Sequence, residues 1–521
     1  MPLTRKDTDF AYAPIVLMTP RQVPLERTLG NLVLYLHTGG KALSSAYKTI
    51  KLVELMEHLR REFDLPETSI PVMRRWLLDE FLELDPKTPS LREAAVSGAY
   101  PLHATAIKLQ KGRAYKDYRT GAFIYSVLLQ HDQVRRDLKD FFWQGMEDRR
   151  ERDNLDLQTL FLVQALDDAP MRTFKTVFDE PELSAPYCRA HSALLANDLR
   201  RLLLYKDVMP RREVIRYLLA LQGFHLALYY LRLFRAIPKL LDTGKSCDGS
   251  CRLEGPEPAC TFHFRFFLDA SDEYKSRGAE LASAEVQRVY ALMGPYVKAH
   301  LTIKKLAEFG EEWARLGRLG PPNPERLAEI VALRQHPDLQ QWADHRTLNV
   351  LEDDEVLESR LARMGAVTRN PFDRYIELIF PEVFKRQGKH LRAALDAFAG
   401  KNKPHGFMRA GSGRRRRFVI SSGLLELLVQ LAMVDYDEDT GRIYQRNLTV
   451  TELLDWLDQR YGLLIDDTSA GDAGFEVERA ARENLAHFKG KLHELGFFVG
   501  LSDASNVQYV RPRFELEGTV A

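Results

Sequence analysis

The chain has 521 residues, of which 45% are hydrophobic and 28% are charged. This length leaves room for roughly two to four domains, and the apolar content is enough to build a core, which excludes a wholly disordered chain. The 74 Lys and Arg residues are balanced by 73 Asp and Glu residues. Any contact with nucleic acid must therefore come from local patches of positive charge.

Apolar residues recur at helical spacing along most of the chain, so we predict a mostly α-helical fold. Leu52, Leu55 and Leu59 lie on one face of a helix predicted over residues 41–63. One extended segment is predicted before residue 495, over residues 260–268. Further helices are predicted over residues 72–81, 121–142, 155–167, 189–206, 211–241, 279–316, 324–335 and 372–399.

The longest apolar stretch covers residues 214–234 and contains Arg216, His225 and Arg232. A charge at the centre of a bilayer costs roughly 2.5 to 3.5 kcal/mol, so we interpret this stretch as a buried helix and expect no membrane contact. The first ten residues lack the apolar core of a signal peptide, and four cysteines are too few for disulfides to stabilise so long a chain. Both observations predict a cytoplasmic protein.

Changes in composition suggest where the chain divides. Residues 401–417 (KNKPHGFMRAGSGRRRR) contain seven Lys or Arg and no acid, and their glycines interrupt the helical pattern. We place the main boundary at this basic linker. The predicted units are an N-terminal helical domain (1–243), a cysteine-rich insertion (244–268), a second helical region (269–400), the basic linker (401–417) and a C-terminal domain (418–521).

The C-terminal domain shows the element order of a winged helix. A helix over residues 419–434 is followed by a second that starts after Thr449, where Glu452 completes a capping box. A third helix ends near Gly496. Alternating residues then predict a small β-hairpin. We therefore predict a winged-helix-like domain behind the helical body.

The charge of this domain bears on its partner. Residues 418–521 contain 18 acids and 9 Lys or Arg, a net charge of −9. Because DNA binding depends largely on neutralising phosphates, this balance favours docking to a protein. The alternative is direct contact with nucleic acid through Lys489 and Lys491, which lie off the apolar stripe of the third helix.

Two other basic segments suit nucleic acid better. In residues 108–119 (KLQKGRAYKDYR), five Lys or Arg alternate with two tyrosines, a pattern that fits phosphates and stacked bases. The competing interpretation is a solvated helix–loop. The arginines of the basic linker allow two interpretations. They contact a phosphate backbone, or they fold back on the acidic domain. The predicted nucleic-acid-contacting residues are Lys108, Lys111, Arg113, Lys116, Arg119, Arg414, Arg415, Arg416, Arg417, Lys489 and Lys491.

Three of the four cysteines lie within fourteen residues, with the spacing C-x3-C-x8-C-x2-H. Zinc takes four such ligands in a tetrahedron, and we predict a structural zinc site with no position open for catalysis. The predicted ligands are Cys247, Cys251, Cys260 and His263. Cys188 replaces His263 if the fold brings it near. The alternative is three free thiols in a loop.

No P-loop, dinucleotide-binding or nucleophile-elbow motif occurs in the sequence. We therefore predict a non-enzymatic binding and scaffolding subunit. The alternative is a metal-dependent nuclease, in which Asp269 (or Asp272) and Glu273 hold magnesium and Lys275 orients water. Such sites sit on paired strands, whereas these three residues lie within seven positions, so a solvated helix start is the competing interpretation.

The C-terminal pattern resembles accessory proteins of multi-gene bacterial anti-phage systems of the methylation-associated defence type. Three segments carry the resemblance: residues 418–431 (FVISSGLLELLVQL), 448–465 (LTVTELLDWLDQRYGLLI) and 488–510 (FKGKLHELGFFVGLSDASNVQYV). They outline about a fifth of the chain. The resemblance implies an accessory component beside a methyltransferase or an ATPase. It implies protein subunits as partners, with DNA or RNA as a further one, and supplies no catalytic residue.

Overall fold

The computed structural model is mostly α-helical, as the sequence predicted. One large hydrophobic core extends from Phe10 to Leu516 and includes side chains of the helical body, the basic linker and the C-terminal region. The predicted units therefore pack on one another. The structure describes residues 10–44, 51–84, 94–109, 117–146, 148–167, 176–178, 183–247, 263–323, 326–351, 355–364, 370–437, 440, 442–467, 474–498 and 509–516.

The described elements are mainly α-helices, accompanied by short strands that pair two by two. The α-helices are α1 Leu25–Thr38, α2 Leu52–Glu62, α3 Ile70–Glu80, α4 Thr120–Leu128, α5 Asp132–Trp143, α6 Leu157–Asp167, α7 Arg189–Leu203, α8 Arg211–Thr243, α9 Arg277–Arg315, α10 Leu327–Ala332, α11 Leu339–Leu351, α12 Glu355–Met364, α13 Pro371–Phe398, α14 Ser422–Ala432, α15 Val450–Tyr461 and α16 Phe475–Glu494. The strands are β1 Ala42–Ser44, β2 Leu82–Leu84, β3 Val96–Ala99, β4 Thr176–Phe178, β5 Phe266–Phe267, β6 Val434–Tyr436, β7 Ile443–Gln445, β8 Leu448–Thr449, β9 Leu463–Leu464 and β10 Tyr509–Val510.

Helix α8 forms the centre of the body and packs against α9 and α13. It ends at Gly244, whose φ of 68° is the left-handed conformation that glycine adopts at helix ends. Among the described residues it is the one helix whose length and composition would let it cross a membrane, and 94% of its most apolar window is buried within the protein. Its burial agrees with the interpretation of this stretch as a core helix.

Several local predictions differ from the structure. The helix predicted over residues 121–142 is two helices, α4 and α5, because the chain turns at Leu129 and Gln130. Asp132 then begins α5 in the first turn, a position that favours an acid. The helix predicted over residues 41–63 starts only at Leu52, and β1 precedes it. Helices α1 and α11 were not predicted from the sequence.

The predicted helices of the C-terminal region are present. The capping box is confirmed, since the Thr449 side chain accepts from the backbone of Glu452 and the Glu452 carboxylate accepts from that of Thr449. Strand β8, before α15, pairs antiparallel with β10, and Phe498 forms an antiparallel bridge with Val510. A winged helix requires these pairings, but the turn between Phe498 and β10 lies outside the described residues. The winged-helix assignment stays a prediction.

The C-terminal region is joined to the body by main-chain pairing. Strand β5, within the segment predicted to be extended, runs parallel to β9. The side chain of Asn484 on α16 fixes this joint. Its amide donates to the carbonyls of Leu268 and Ile465 at 2.8 Å each, and its oxygen accepts from the N–H of Ala270 at 2.7 Å. Both N–H groups of this buried amide and its oxygen are thus hydrogen-bonded, and these bonds hold three segments together.

Candidate nucleic-acid interface

The basic linker lies on the body and is anchored there by its last two arginines. Arg417 is 4% exposed, and its Nε donates to the carboxylate of Asp269 at 2.6 Å. Arg416 donates to Asp396 at 2.6 Å and stacks on the ring of Tyr290, with its guanidinium carbon 4.9 Å from the ring centre. Both side chains are therefore held by internal partners.

Arg415 faces outward from this anchored segment. Its guanidinium carbon lies 5.0 Å from the ring centre of Tyr274, which is 43% exposed, and the ammonium of Lys275 is 5.8 Å from the same ring. We call Arg415, Tyr274 and Lys275 the Tyr274 cluster. The backbone of Arg414 lies in the short turn at residues 413–415, and its side chain is outside the described ones. The linker thus presents a positive, partly aromatic surface in a fixed position.

The structure places the two described ends of the basic segment 108–119 differently. Lys108 is buried, and its Nζ donates to the carbonyl of Leu166 at 2.5 Å. Arg119 is half-buried, with its backbone N–H donating to Asp117 at 3.1 Å. The predicted contacts of the middle residues fall outside the described part of the chain; these are Lys111, Arg113 and Lys116.

Of the two lysines predicted on the third C-terminal helix, one faces the body. Lys491 is buried and donates to the carbonyl of Ile420 at 3.1 Å, with the carboxylate of Asp272 at 3.6 Å. Burial lowers its pKa, against the attraction of Asp272. Lys489 is half-buried on the same helix. Nucleic-acid contact stays a prediction for all the residues proposed to make it. Among those whose side chains are described, the structure shows which face solvent and which are buried in the protein.

The nuclease alternative requires three side chains to meet, and the structure places them in different surroundings. Asp269 is fully buried; one carboxylate oxygen binds Arg417, and the other accepts from the N–H of Ser271 at 3.0 Å. Glu273 and Lys275 are exposed. Within the described residues, no three His, Cys, Asp or Glu side chains are grouped so that they could hold a metal ion.

Of the four predicted zinc ligands, the structure describes two, Cys247 and His263. Cys251 and Cys260 lie outside the described residues, and Cys247 is half-buried, with its backbone N–H 3.4 Å from the hydroxyl of Tyr187. His263 is buried, and its Nε2 is 3.1 Å from the carbonyl of Asp458, to which it donates. Its Nδ1 is buried and has no hydrogen-bond partner among the described residues.

The alternative ligand, Cys188, is buried at the start of α7. It directly follows Tyr187, whose hydroxyl contacts the backbone of Cys247. The structure therefore places Cys188 and Cys247 in the same neighbourhood. The choice between Cys188 and His263 as a fourth ligand stays open.

A further basic region was not predicted from the sequence. Residues 383–395 on α13 contain four Lys or Arg and no acid, a charge signal that the sequence does carry. Arg21 was also missed; its Nη1 lies 2.6 Å from Nδ1 of His390, a residue 369 positions away. No local pattern could have predicted that pairing, because it exists only after the chain folds.

The fold and these surfaces define a mostly α-helical protein with an exposed basic surface and internally paired charges. The model of one family, described as Methylation-associated defense system protein MAD7, matches residues 5–514. The chain therefore belongs to that family, which confirms the resemblance to a subunit of a methylation-associated anti-phage defence system. Membership in a multi-gene system indicates protein partners. No curated protein matches the chain, and no solved structure does.

Proposed function

We propose that this chain is a non-enzymatic, cytoplasmic binding and scaffolding subunit of the defence system, which contacts nucleic acid and partner proteins. The observation that carries nucleic-acid contact is the Tyr274 cluster. Arginine pairs phosphate with two parallel hydrogen bonds, and Arg415 is held in place by a linker whose neighbouring side chains are anchored in the body. Because the backbone of Arg415 is already fixed, contact with a phosphate would require less of the chain to be ordered on binding.

A non-catalytic role fits the surroundings of Asp269. A magnesium ligand needs a carboxylate with free oxygen lone pairs, whereas this carboxylate already neutralises Arg417 and accepts from Ser271. The acidic C-terminal region is our proposed docking site for a protein partner. This assignment rests on its net charge of −9, which favours a protein over a polyanion.

The first prediction concerns the Tyr274 cluster. Changing both Arg415 and Lys275 to alanine should weaken nucleic-acid binding about 10-fold at low salt and flatten the log–log salt slope by roughly 1.4 to 1.8, since two phosphate contacts are lost. Fluorescence anisotropy with labelled DNA and RNA, titrated with salt, measures both quantities. The melting temperature should stay the same, because both side chains are exposed.

A matched control lies at the opposite end of α9. Arg315 and Arg318 are also exposed, and Arg318 lies over the ring of Trp313 at 5.7 Å. Their double alanine variant removes the same charge roughly 55 Å away along the helix, and should leave binding unchanged. Equal effects of the two variants would show non-specific attraction. A wild-type protein that binds neither DNA nor RNA at low salt would remove nucleic-acid contact from the proposal.

We also propose that the chain holds a structural zinc ion, and the hydrogen bonding of His263 supports this site. Histidine ligands usually donate their other N–H to a carbonyl or carboxylate, which fixes the tautomer and leaves a lone pair for the metal. His263 donates from Nε2 to the carbonyl of Asp458, and its Nδ1 has no partner in the described part of the chain. This is the arrangement expected of a ligand, and Cys247 supplies a thiol in the same part of the chain.

The second prediction is therefore that protein purified without chelator contains about one zinc per chain. Cys251→Ser should lose the metal, because it removes one of four ligands. Elemental analysis by mass spectrometry measures the stoichiometry. Cys188→Ser separates the two ligand sets: it keeps the zinc if His263 completes the site and loses it if Cys188 does. Wild-type protein without zinc would rule the site out.

A further inference from the structure

The C-terminal half of α13 presents four positive side chains to solvent. Lys385, Arg386, Lys389 and Arg392 are all exposed, and we call them the α13 basic face. Lys385, Lys389 and Arg392 follow the spacing i, i+4, i+7, so they form one row along the helix. The row is about 10 Å long.

Among the described residues, these charges lack the acidic partners that several exposed cations on other helices have. On α2, Arg61 pairs with Glu57; on α3, Arg75 pairs with Asp79; on α16, Arg482 pairs with Glu478. On α13, no described Asp or Glu lies within ion-pairing distance of the four side chains, and Glu382, the acid just before them, binds Arg360 instead. Four uncompensated cations on one rigid helix form a site suited to a polyanion.

The position of these charges in the helix excludes a simpler explanation. Cations in the last turn of a helix stabilise it by opposing its dipole. The last turn of α13 ends at Phe398, and the row begins three turns earlier, at Lys385. The dipole effect falls off within one turn, so it does not explain Lys385, Arg386 or Lys389.

At one end the α13 basic face continues into the basic linker. The guanidinium of Arg392 lies 4.9 Å from the ring centre of Tyr290, and that of Arg416 lies at the same distance from the same ring. Arg416 and Lys401 both bind the carboxylate of Asp396, so this junction keeps an excess of positive charge. The linker and α13 therefore form one surface.

At its other side the face approaches the basic segment 108–119. His390, between Lys389 and Arg392 on α13, is hydrogen-bonded to Arg21, and the guanidinium of Arg21 lies 5.9 Å from the ring of Tyr118. Tyr118 is 40% exposed. The fold thus brings parts of two segments that are distant in sequence to opposite sides of the same helix.

We propose that the α13 basic face binds the phosphate backbone of a double-stranded nucleic acid. This inference rests on the proposed function and names the surface and the form of nucleic acid. A rigid row of cations matches a regular row of phosphates, and such contacts position a duplex without reading its bases. Single strands are held chiefly by aromatic platforms on which bases stack, and none of the four side chains is aromatic.

The test compares two charge-reversed double variants in full-length protein. Lys385→Glu with Lys389→Glu should bind a labelled DNA duplex at least about 10-fold more weakly at low salt, and its salt slope should be flatter by about 1.8, since two contacts are lost. The matched control is Arg75→Glu with Arg482→Glu, whose side chains are 85% and 83% exposed on other helices. This control changes the net charge equally and should bind as wild type does.

Each outcome bears on a different claim. If wild-type protein binds the duplex and the α13 variant binds equally well, the inference fails and the proposed function stands. If wild-type protein binds neither duplex nor single strand, both fail. If the α13 variant loses single-strand binding as much as duplex binding, the assignment to a duplex is wrong. An RNA duplex in parallel distinguishes the two sources of phosphate. Lys385→Gln with Lys389→Gln keeps the test valid should the reversed variant not fold.

Discussion

Changing Asp198 to asparagine is expected to lower the free energy of unfolding by about 3–5 kcal/mol, because it leaves a buried arginine without its counter-charge. Asp198 on α7 is fully buried and receives Arg460 and Tyr461 of α15, together with His225 of α8. The Nε of Arg460 is 3.1 Å from the carboxylate, the hydroxyl of Tyr461 is at 2.7 Å and Nε2 of His225 is at 2.8 Å.

The pKa of Asp198 shows how strongly these partners favour the charged form. Burial by itself raises the pKa of a carboxyl, yet the charge of Arg460 and the hydrogen bonds from His225 and Tyr461 outweigh it and bring the pKa to about 2. The asparagine variant cannot carry that charge. Because the network joins α7 and α8 of the body to α15, its loss should loosen the C-terminal region first.

Urea denaturation followed by circular dichroism measures the loss of stability. The control is Arg75→Ala with Asp79→Ala, which removes an exposed pair separated by 3.6 Å. Exposed pairs contribute about 0–1 kcal/mol, so this variant should unfold like the wild type. A loss of less than about 1 kcal/mol for Asp198→Asn would mean that the network does not hold the joint.

The second large effect is acid destabilisation below about pH 6.5. His103 and His300 are fully buried, and burial lowers the pKa of His103 to about 4 and that of His300 to about 3. Arg211 and Lys304 contribute in the same direction. The folded chain holds both rings neutral, whereas the unfolded chain protonates them near the ordinary value.

The sign follows from linkage. For a base whose folded pKa is lowered, the stability is fully present above the unfolded pKa and is lost as the pH falls toward the folded value. Each histidine contributes up to about 1.4 kcal/mol per pH unit in this window, so the two together lower the free energy of unfolding by about 2–3 kcal/mol between pH 6 and pH 5. Urea midpoints at pH 7, 6 and 5 test this.

Removing one of these rings should flatten the dependence. His300→Leu should reduce the slope by about 1.4 kcal/mol per pH unit, even if the variant is less stable at neutral pH. His345 is exposed on α11, and its leucine variant is the control, with the wild-type slope expected. A slope that His300→Leu leaves unchanged would show that this ring is not the one that resists protonation.

The sequence by itself determined the helical class, because the period of apolar residues directly reflects which face of each helix is buried. Helices α8, α9 and α13 were predicted within a few residues of their observed ends. The capping box at Thr449 was also predicted, since both of its partners lie within one turn of each other. Local patterns of this kind need no knowledge of the rest of the chain.

Only the tertiary structure decided which charges are available. Arg415, Arg416 and Arg417 are identical neighbours in sequence, yet one faces solvent, one binds Asp396 and one is buried against Asp269. The acids that neutralise Arg416 and Arg417 lie 20 and 148 positions away. Whether a charged side chain is paired inside the protein or exposed to a ligand therefore depends on long-range contacts. The spacing of residues along the chain does not reveal these contacts.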